Sequence, residues 1–187
     1  MLDRIAHFRQ LGTLNDGTRV LLRPLLKEDS DQLQALFKGI SAEDRRFMRS
    51  DITDSNVVRA WIENLDYHRV LPLMAVVNDR LVGDASLHFR SGPYRHVAEV
   101  RIFLLQEYRH RGLGTLMLKT LIDIARKAGL QFIVAEIVAD QTRVVEAFHN
   151  LGFERKVTLN DFFLTPDGEA HDVAMMVLSL KAKKDDF

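Results

Sequence analysis

Cysteine is missing from all 187 residues, which excludes disulfides, a Cys-ligated zinc and any acyl-cysteine intermediate. Long apolar runs are missing too. With no stretch of about eighteen apolar residues there is no candidate membrane-spanning helix, and the charged opening Met1 to Gln10 lacks the apolar centre of a signal peptide. The expectation is a soluble, unprocessed cytoplasmic protein that binds no membrane. Nor is there an excess of either charge. The 26 basic residues balance 26 acidic ones, so no global field draws the chain to nucleic acid, and any anion site must arise from local geometry. None of the seven histidines stands at ligand spacing beside a carboxylate, so no metal site is expected. Repeats, linkers and low-complexity stretches do not occur. What is present is an apolar fraction of 47%, ordinary for a core-forming protein. The length suits a single domain over 1–187, with 1–17 as an N-terminal extension and 181–187 as a frayed, charged tail.

Asn15-Asp16-Gly17 signals a tight reversal, because Asp-Gly readily supplies positive φ angles, and Arg19 to Leu22 after it reads as a strand. Leu33, Leu36 and Phe37 give helical spacing to Lys27 to Phe37, which Gly39 ends. Thr53, Asp54 and Ser55 can each cap a second helix carrying Val57, Val58, Trp61, Ile62 and Leu65 on one face. Val70 to Val77 and Arg80 to Phe89 form a hairpin about Asn78-Asp79. Val97 to Leu105 alternates, with Glu99, Arg101 and Phe103 on one face and Val100, Ile102 and Leu104 on the other. From Gly112 the period becomes helical, through Leu113, Leu116, Met117, Thr120, Leu121 and Ile124, until Gly129. Phe132 to Val138 is an apolar strand, and a strand-helix-strand unit of this length implies parallel pairing. A short helix, Thr142 to Asn150, leads into Gly152-Phe153. Phe153 to Leu164 and Val173 to Leu180 then flank the turn Pro166-Asp167-Gly168 as a terminal hairpin.

The chemistry concentrates where the strand ending near Leu105 enters the loop Arg109-His110-Arg111-Gly112-Leu113-Gly114 and a helix follows. The first turn of a helix leaves N–H groups without partners, and the macrodipole adds roughly half a positive charge there, so phosphate is the natural guest. Gly112 and Gly114 let an oxygen approach the backbone, while Arg109 and Arg111 add charged donors at the rim. A Walker A loop would end Gly-Lys-Ser/Thr, and the dinucleotide fingerprint needs a third glycine where Met117 stands. The blander alternative is that the two glycines only turn a strand into a helix.

Tyr108-Arg109-His110-Arg111-Gly112-Leu113-Gly114 resembles the Arg/Gln-x-x-Gly-x-Gly/Ala coenzyme A signature of the GNAT superfamily of N-acetyltransferases. The order of elements is similar along nearly the whole chain, from Val20 to Asp29 through Leu151-Gly152-Phe153. The resemblance implies an α/β fold with a mixed central sheet of about seven strands, splayed between strands 4 and 5 and flanked by about four helices. It implies acetyl-CoA as cosubstrate, its pantetheine arm along the backbone of Ile102, Phe103 and Leu104. The diphosphate would rest on the amides of Arg109, His110, Arg111, Gly112, Leu113, Gly114 and Thr115. The family's pantetheine-contacting Asn and thiolate-protonating Tyr fall on Gln141 and Phe148. Gln141 can still hydrogen-bond, but Phe148 has no proton to give.

Within the superfamily, Leu14 to Pro24, Ile40-Ser41-Ala42-Glu43-Asp44-Arg45-Arg46-Phe47, and Ala98-Glu99 resemble the acetyltransferase domain of bacterial protein-lysine acetyltransferases. That resemblance implies Glu99 as general base. The need is real for a lysine acceptor, whose neutral form at pH 7 costs about 4.6 kcal/mol, against about 1 kcal/mol for an α-amine. Burial that raised Glu99 towards about 6–7 would suit the task; a plain ion pair with Arg95 or Arg101 is the alternative. The reading is therefore an N-acetyltransferase acting on a primary amine by direct attack. A non-catalytic acyl-CoA-binding module, a small-molecule acetyltransferase and a phosphate-binding interaction domain stand as alternatives. Homodimers are common in the family.

Overall fold

The computed structural model describes residues 2–49 and 52–181, so the charged tail expected to fray lies almost wholly outside the described residues. The elements are β1 (Gln10–Thr13), β2 (Arg19–Pro24), α1 (Ser30–Lys38), α2 (Ala42–Arg45), α3 (Ser55–Glu63), β3 (Val70–Val77), β4 (Arg80–Phe89), β5 (Val97–Leu104), α4 (Leu113–Lys127), β6 (Phe132–Val138), α5 (Thr142–Asn150), β7 (Glu154–Leu164) and β8 (Ala170–Ser179). Their hydrogen-bonded order is β1-β2-β3-β4-β5-β6-β8-β7, a mixed and mostly antiparallel sheet. Eight strands and five α-helices replace the expected seven and four. The additions are β1, in which Leu11 is 82% exposed, and α2, which buries no residue; neither carries an apolar period to read. Among the described residues no helix is long and apolar enough to cross a membrane. Contacts divide the chain into two units, Met1–Leu87 with Arg101–Leu121, and His88–Val100 with Ile122–Phe187.

The first unit begins with the β1–β2 hairpin, closed by Leu14 N–H donating to Thr18 O at 2.8 Å and by Gly17 at φ +86°. Buried Val20 and Leu22 point β2 into the core, and its Arg23 forms a two-pronged ion pair with buried Asp29 ahead of α1. That pairing satisfies both carboxylate oxygens of Asp29 out of water, where an unpaired charge would be costly. α3 is capped by Asp54, whose side chain accepts from Asn56 N, and its Trp61 meets Phe37 of α1 edge-on at 5.9 Å between ring centres. Leu71, Leu73, Met74 and Ala75 of β3 are fully buried. β3 turns into β4 through Asn78 and Asp79, both at positive φ, as a two-residue hairpin requires.

The second unit is built on β8, which pairs with β6 along seven residues, Phe132 to Val138, and with β7 on its other side. β5 runs parallel to β6, and their ladder covers Val97–Glu99 against Phe132–Val134. Phe148 of α5 and Phe153 pack edge to face at 5.0 Å, both almost fully buried. β7, last in the hydrogen-bonded order, shifts register between Leu159 and Phe163. Asp161 sits within that irregularity at φ +52°, its N–H donating to Asp172 Oδ1 at 3.0 Å.

Candidate active site

The site in the first unit grows out of β5. Leu105 beyond it is buried, whereas Ile102, Phe103 and Leu104 remain partly accessible. A single 3-10 turn, Gln106–Tyr108, then leads through extended Arg109, left-handed His110 at φ +60° and left-handed Gly112 at φ +83° into α4. The first helical bond is Leu116 N–H to Gly112 O at 3.0 Å, so the N–H groups of Leu113, Gly114 and Thr115 have no acceptor within the helix. Leu113 is buried and anchors the turn, while Thr115 and His110 are exposed. The two glycines do different work. A Cβ on Gly112 would stand 3.0 Å from Asn15 Oδ1 on a backbone that already disfavours L-residues; one on Gly114 would meet Leu104 and Ile102 at ordinary distances of 3.4 and 3.6 Å.

The arginines are also unlike. Arg109 points inward: Nε and Nη2 donate to Leu104 O at 3.1 and 3.0 Å, and Nη2 donates to Asp44 Oδ2 at 2.8 Å. Its guanidinium lies 5.9 Å from the centre of the Phe103 ring. It therefore braces the loop to the end of β5 and to α2. Arg111 stays half-exposed, stacked 5.5 Å over Tyr108, with Nη1 donating to Asp16 Oδ2 at 2.9 Å. The Asp16 carboxyl is held below its ordinary range by hydrogen bonds from Thr18 and by the Arg111 charge. Asn15 N–H donates to Arg111 O at 3.0 Å, so the β1–β2 turn forms one wall of the glycine loop. Sequence reasoning placed that turn but gave Asn15, Asp16 and Asp44 no part in the site; only the folded hairpin brings them there.

Asp84 of β4 was likewise missed. Its Oδ1 is sealed from solvent and accepts no hydrogen bond, and burial pushes its carboxyl up to about 7. A carboxylate within the apolar run Leu81 to Leu87 was the signal available in the sequence.

The remaining candidates belong to the second unit. Glu99 is half-buried on β5, in register with Val134 of β6. On its other side, the bond from Arg90 N–H to Val97 O sets His88 opposite Glu99. Gln141 precedes α5, where its carbonyl accepts from Val144 and Val145 and its side chain makes no cap. Phe148 is 3% exposed and committed to the Phe153 contact. Thus Ile102–Leu104 and the loop through Thr115 stand together in one unit, and Glu99, Gln141 and Phe148 stand in the other.

The chain has relatives among known proteins. An acetyltransferase of Pseudomonas aeruginosa is 27% identical over 128 residues, 64% of this chain and 66% of its own length, so the match spans slightly less than two thirds of that relative. Two solved structures share the fold: the GNAT domain of S. lividans PAT (TM-score 0.77, 19% identity, 93% of this chain and 98% of that one), and YncA of Salmonella typhimurium with its cofactor acetyl-CoA (TM-score 0.73, 22% identity, 88% and 96%). Residues 36–153, from α1 through the glycine loop to Phe153, match the acetyltransferase (GNAT) family, and the chain belongs to that family.

Proposed function

We propose that the chain transfers an acetyl group from acetyl-CoA to a primary amine. The observation that carries this is the loop itself: N–H groups of Leu113, Gly114 and Thr115 that precede the first helical bond, a left-handed Gly112, and Arg111 at the rim. Together they suit the diphosphate of coenzyme A, whose charge the helix N-terminus and guanidinium both favour. Accessible Ile102, Phe103 and Leu104 offer backbone groups to the pantetheine arm. The amine attacks the thioester carbonyl, the oxyanion is stabilised by β5 N–H groups, and the C–S bond breaks to release the thiolate. Glu99 takes the proton from the attacking nitrogen, and water protonates the thiolate because Phe148 cannot. The scheme needs no metal and no covalent enzyme intermediate. The resemblance of residues 14–24, 40–47 and 98–99 to protein-lysine acetyltransferases supports a protein lysine as acceptor. Core-bound Phe148 supports one rival, an acyl-CoA-binding module without turnover.

A thermal melt with acetyl-CoA, CoA, ATP or buffer tests the reading. At about one hundred times Kd a ligand adds roughly 2.7 kcal/mol, or about 5–11 °C for a chain of this size. A shift with both CoA species and none with ATP is expected, followed by acetylation of a lysine peptide that Glu99→Gln slows. Absence of any shift at saturating acetyl-CoA would overturn the proposal; a shift without turnover on any amine would favour the rival.

A further inference from the structure

Asp84 is a half-buried carboxylate that the scheme above leaves unused, with one oxygen sealed from solvent. In the first unit the bond from Leu105 N–H to Val82 O, at 3.0 Å, fixes the local register of β4 on β5. The same register appears at Gly83, where an added Cβ would stand 2.6 Å from Leu104 Cδ2 and 3.2 Å from Phe103 O. Asp84 is therefore opposite Phe103, and Ser86 opposite Arg101, each pair on a common face of the sheet. The other face belongs to the cofactor helix: Gly83 lies against Met117, and Gly114 against Ile102 and Leu104. So α4 and its loop approach β5 from one side, and Asp84 looks out from the other.

On that side the neighbouring charges are Arg101, across the ladder and one pair along, Arg109, whose guanidinium stands over Phe103, and Asp44, which Arg109 engages. None of them reaches Asp84, whose Oδ1 is enclosed without a donor. An enclosed carboxylate oxygen with no partner costs stability, and such groups concentrate at sites where a ligand supplies the partner. The complementary ligand group is a cation with several N–H donors, which describes an ammonium nitrogen. The nearest strand is the one to which the acetyl thioester is assigned.

We propose that Asp84 receives the acceptor's amine nitrogen, as its cation-recognising carboxylate, on the face of β5 opposite α4. This rests on the acetyltransferase reading and gives it a residue that recognises the acceptor while the amine is still an ammonium ion.

The experiment is Asp84→Asn in the full chain, which preserves shape and removes the charge. Three amines serve as probes: a lysine-containing peptide, a peptide with a free N-terminal alanine, and spermidine. For whichever probe the unaltered protein acetylates, the variant's acceptor KM should rise about tenfold or more, the loss associated with a charged hydrogen bond. Its acetyl-CoA KM and melting shift should stay within about twofold of the original, because uniform binding of the other substrate is untouched. Amide chemical shifts at Asp84 and Phe103 should move with added amine in the unaltered protein and stay still in the variant. An unchanged acceptor KM, or identical amide shifts in both proteins, would overturn the role of Asp84 while acetyl-CoA binding stood. A protein that ignores acetyl-CoA altogether would overturn the acetyltransferase reading, and this role with it.

Discussion

Asn15 and Gly112 touch at the one place where the phosphate-binding loop can be tested with a single methyl group. Gly112→Ala places a Cβ on a backbone at φ +83° and 3.0 Å from the Asn15 side chain, so the loop must shift. The substitution should cost about 1–3 kcal/mol, the usual penalty for forcing an L-residue into such a conformation. It should also weaken acetyl-CoA binding, because the amides beyond it move. Gly114→Ala is the matched control, since its Cβ meets only van der Waals neighbours at 3.4 and 3.6 Å. Urea midpoints and cofactor titrations of the pair should diverge; equal behaviour would mean that the left-handed turn is dispensable.

Between elements, Arg109 connects the end of β5 to α2. Arg109→Met keeps most of the side-chain volume but takes the guanidinium donors from Leu104 O and from Asp44, whose Oδ2 keeps the Ser41 hydroxyl. A loss of about 1–3 kcal/mol is expected, with a coupling of at least about 0.5 kcal/mol to Asp44→Asn in a double-mutant cycle. Additive effects would show that the brace is not real. The same scale explains what the sequence could and could not reveal. β3, β4, β6 and α5 agree with their sequence-based bounds because each is a β-rich or apolar run, or for α5 a helical stripe, set off by nearby turn residues, Asn78-Asp79 being the clearest. The glycine loop was legible for a similar reason: its conformation depends on residues within the loop. β1 was not, for its four residues bury no apolar side chain, and its strand character comes from pairing with β2. Arg109 was read as a rim donor because nothing local says that its guanidinium will find Leu104 O. Asp84 stood out in the sequence only as a carboxylate inside an apolar run; the enclosure of its Oδ1 depends on the register of β4 against β5, which is not local.

For the molecule as a whole, Asp84 should leave a mark on the pH dependence of stability. Its carboxyl titrates near 7 when folded against an ordinary 3.8, so between these values the folded protein keeps a proton that the unfolded chain has released. Stability contributed by this group is thus full below about pH 4, falls as pH rises, and levels off above about pH 7. Asp84→Asn removes the slope. The variant should match the original at pH 4 and exceed it at pH 8 by up to about 4 kcal/mol, since each pKa unit corresponds to about 1.4 kcal/mol. Parallel stability curves from pH 4 to 8 would show that the carboxyl is solvated.

The register shift in β7 has a consequence for life in a crowded solution. β7 is the outermost strand on its side, and it displays Val157, Phe162 and Leu164 to solvent. A long, straight strand of that kind is a template on which a neighbouring chain can add its own strand. The left-handed kink at Asp161 interrupts the repeat of backbone donors and acceptors, and Glu154, Arg155 and Lys156 place charge along the remainder. The irregularity is thus best understood as protection against misassembly: a small loss of ladder regularity makes the open margin of the sheet a poor seed for aggregation.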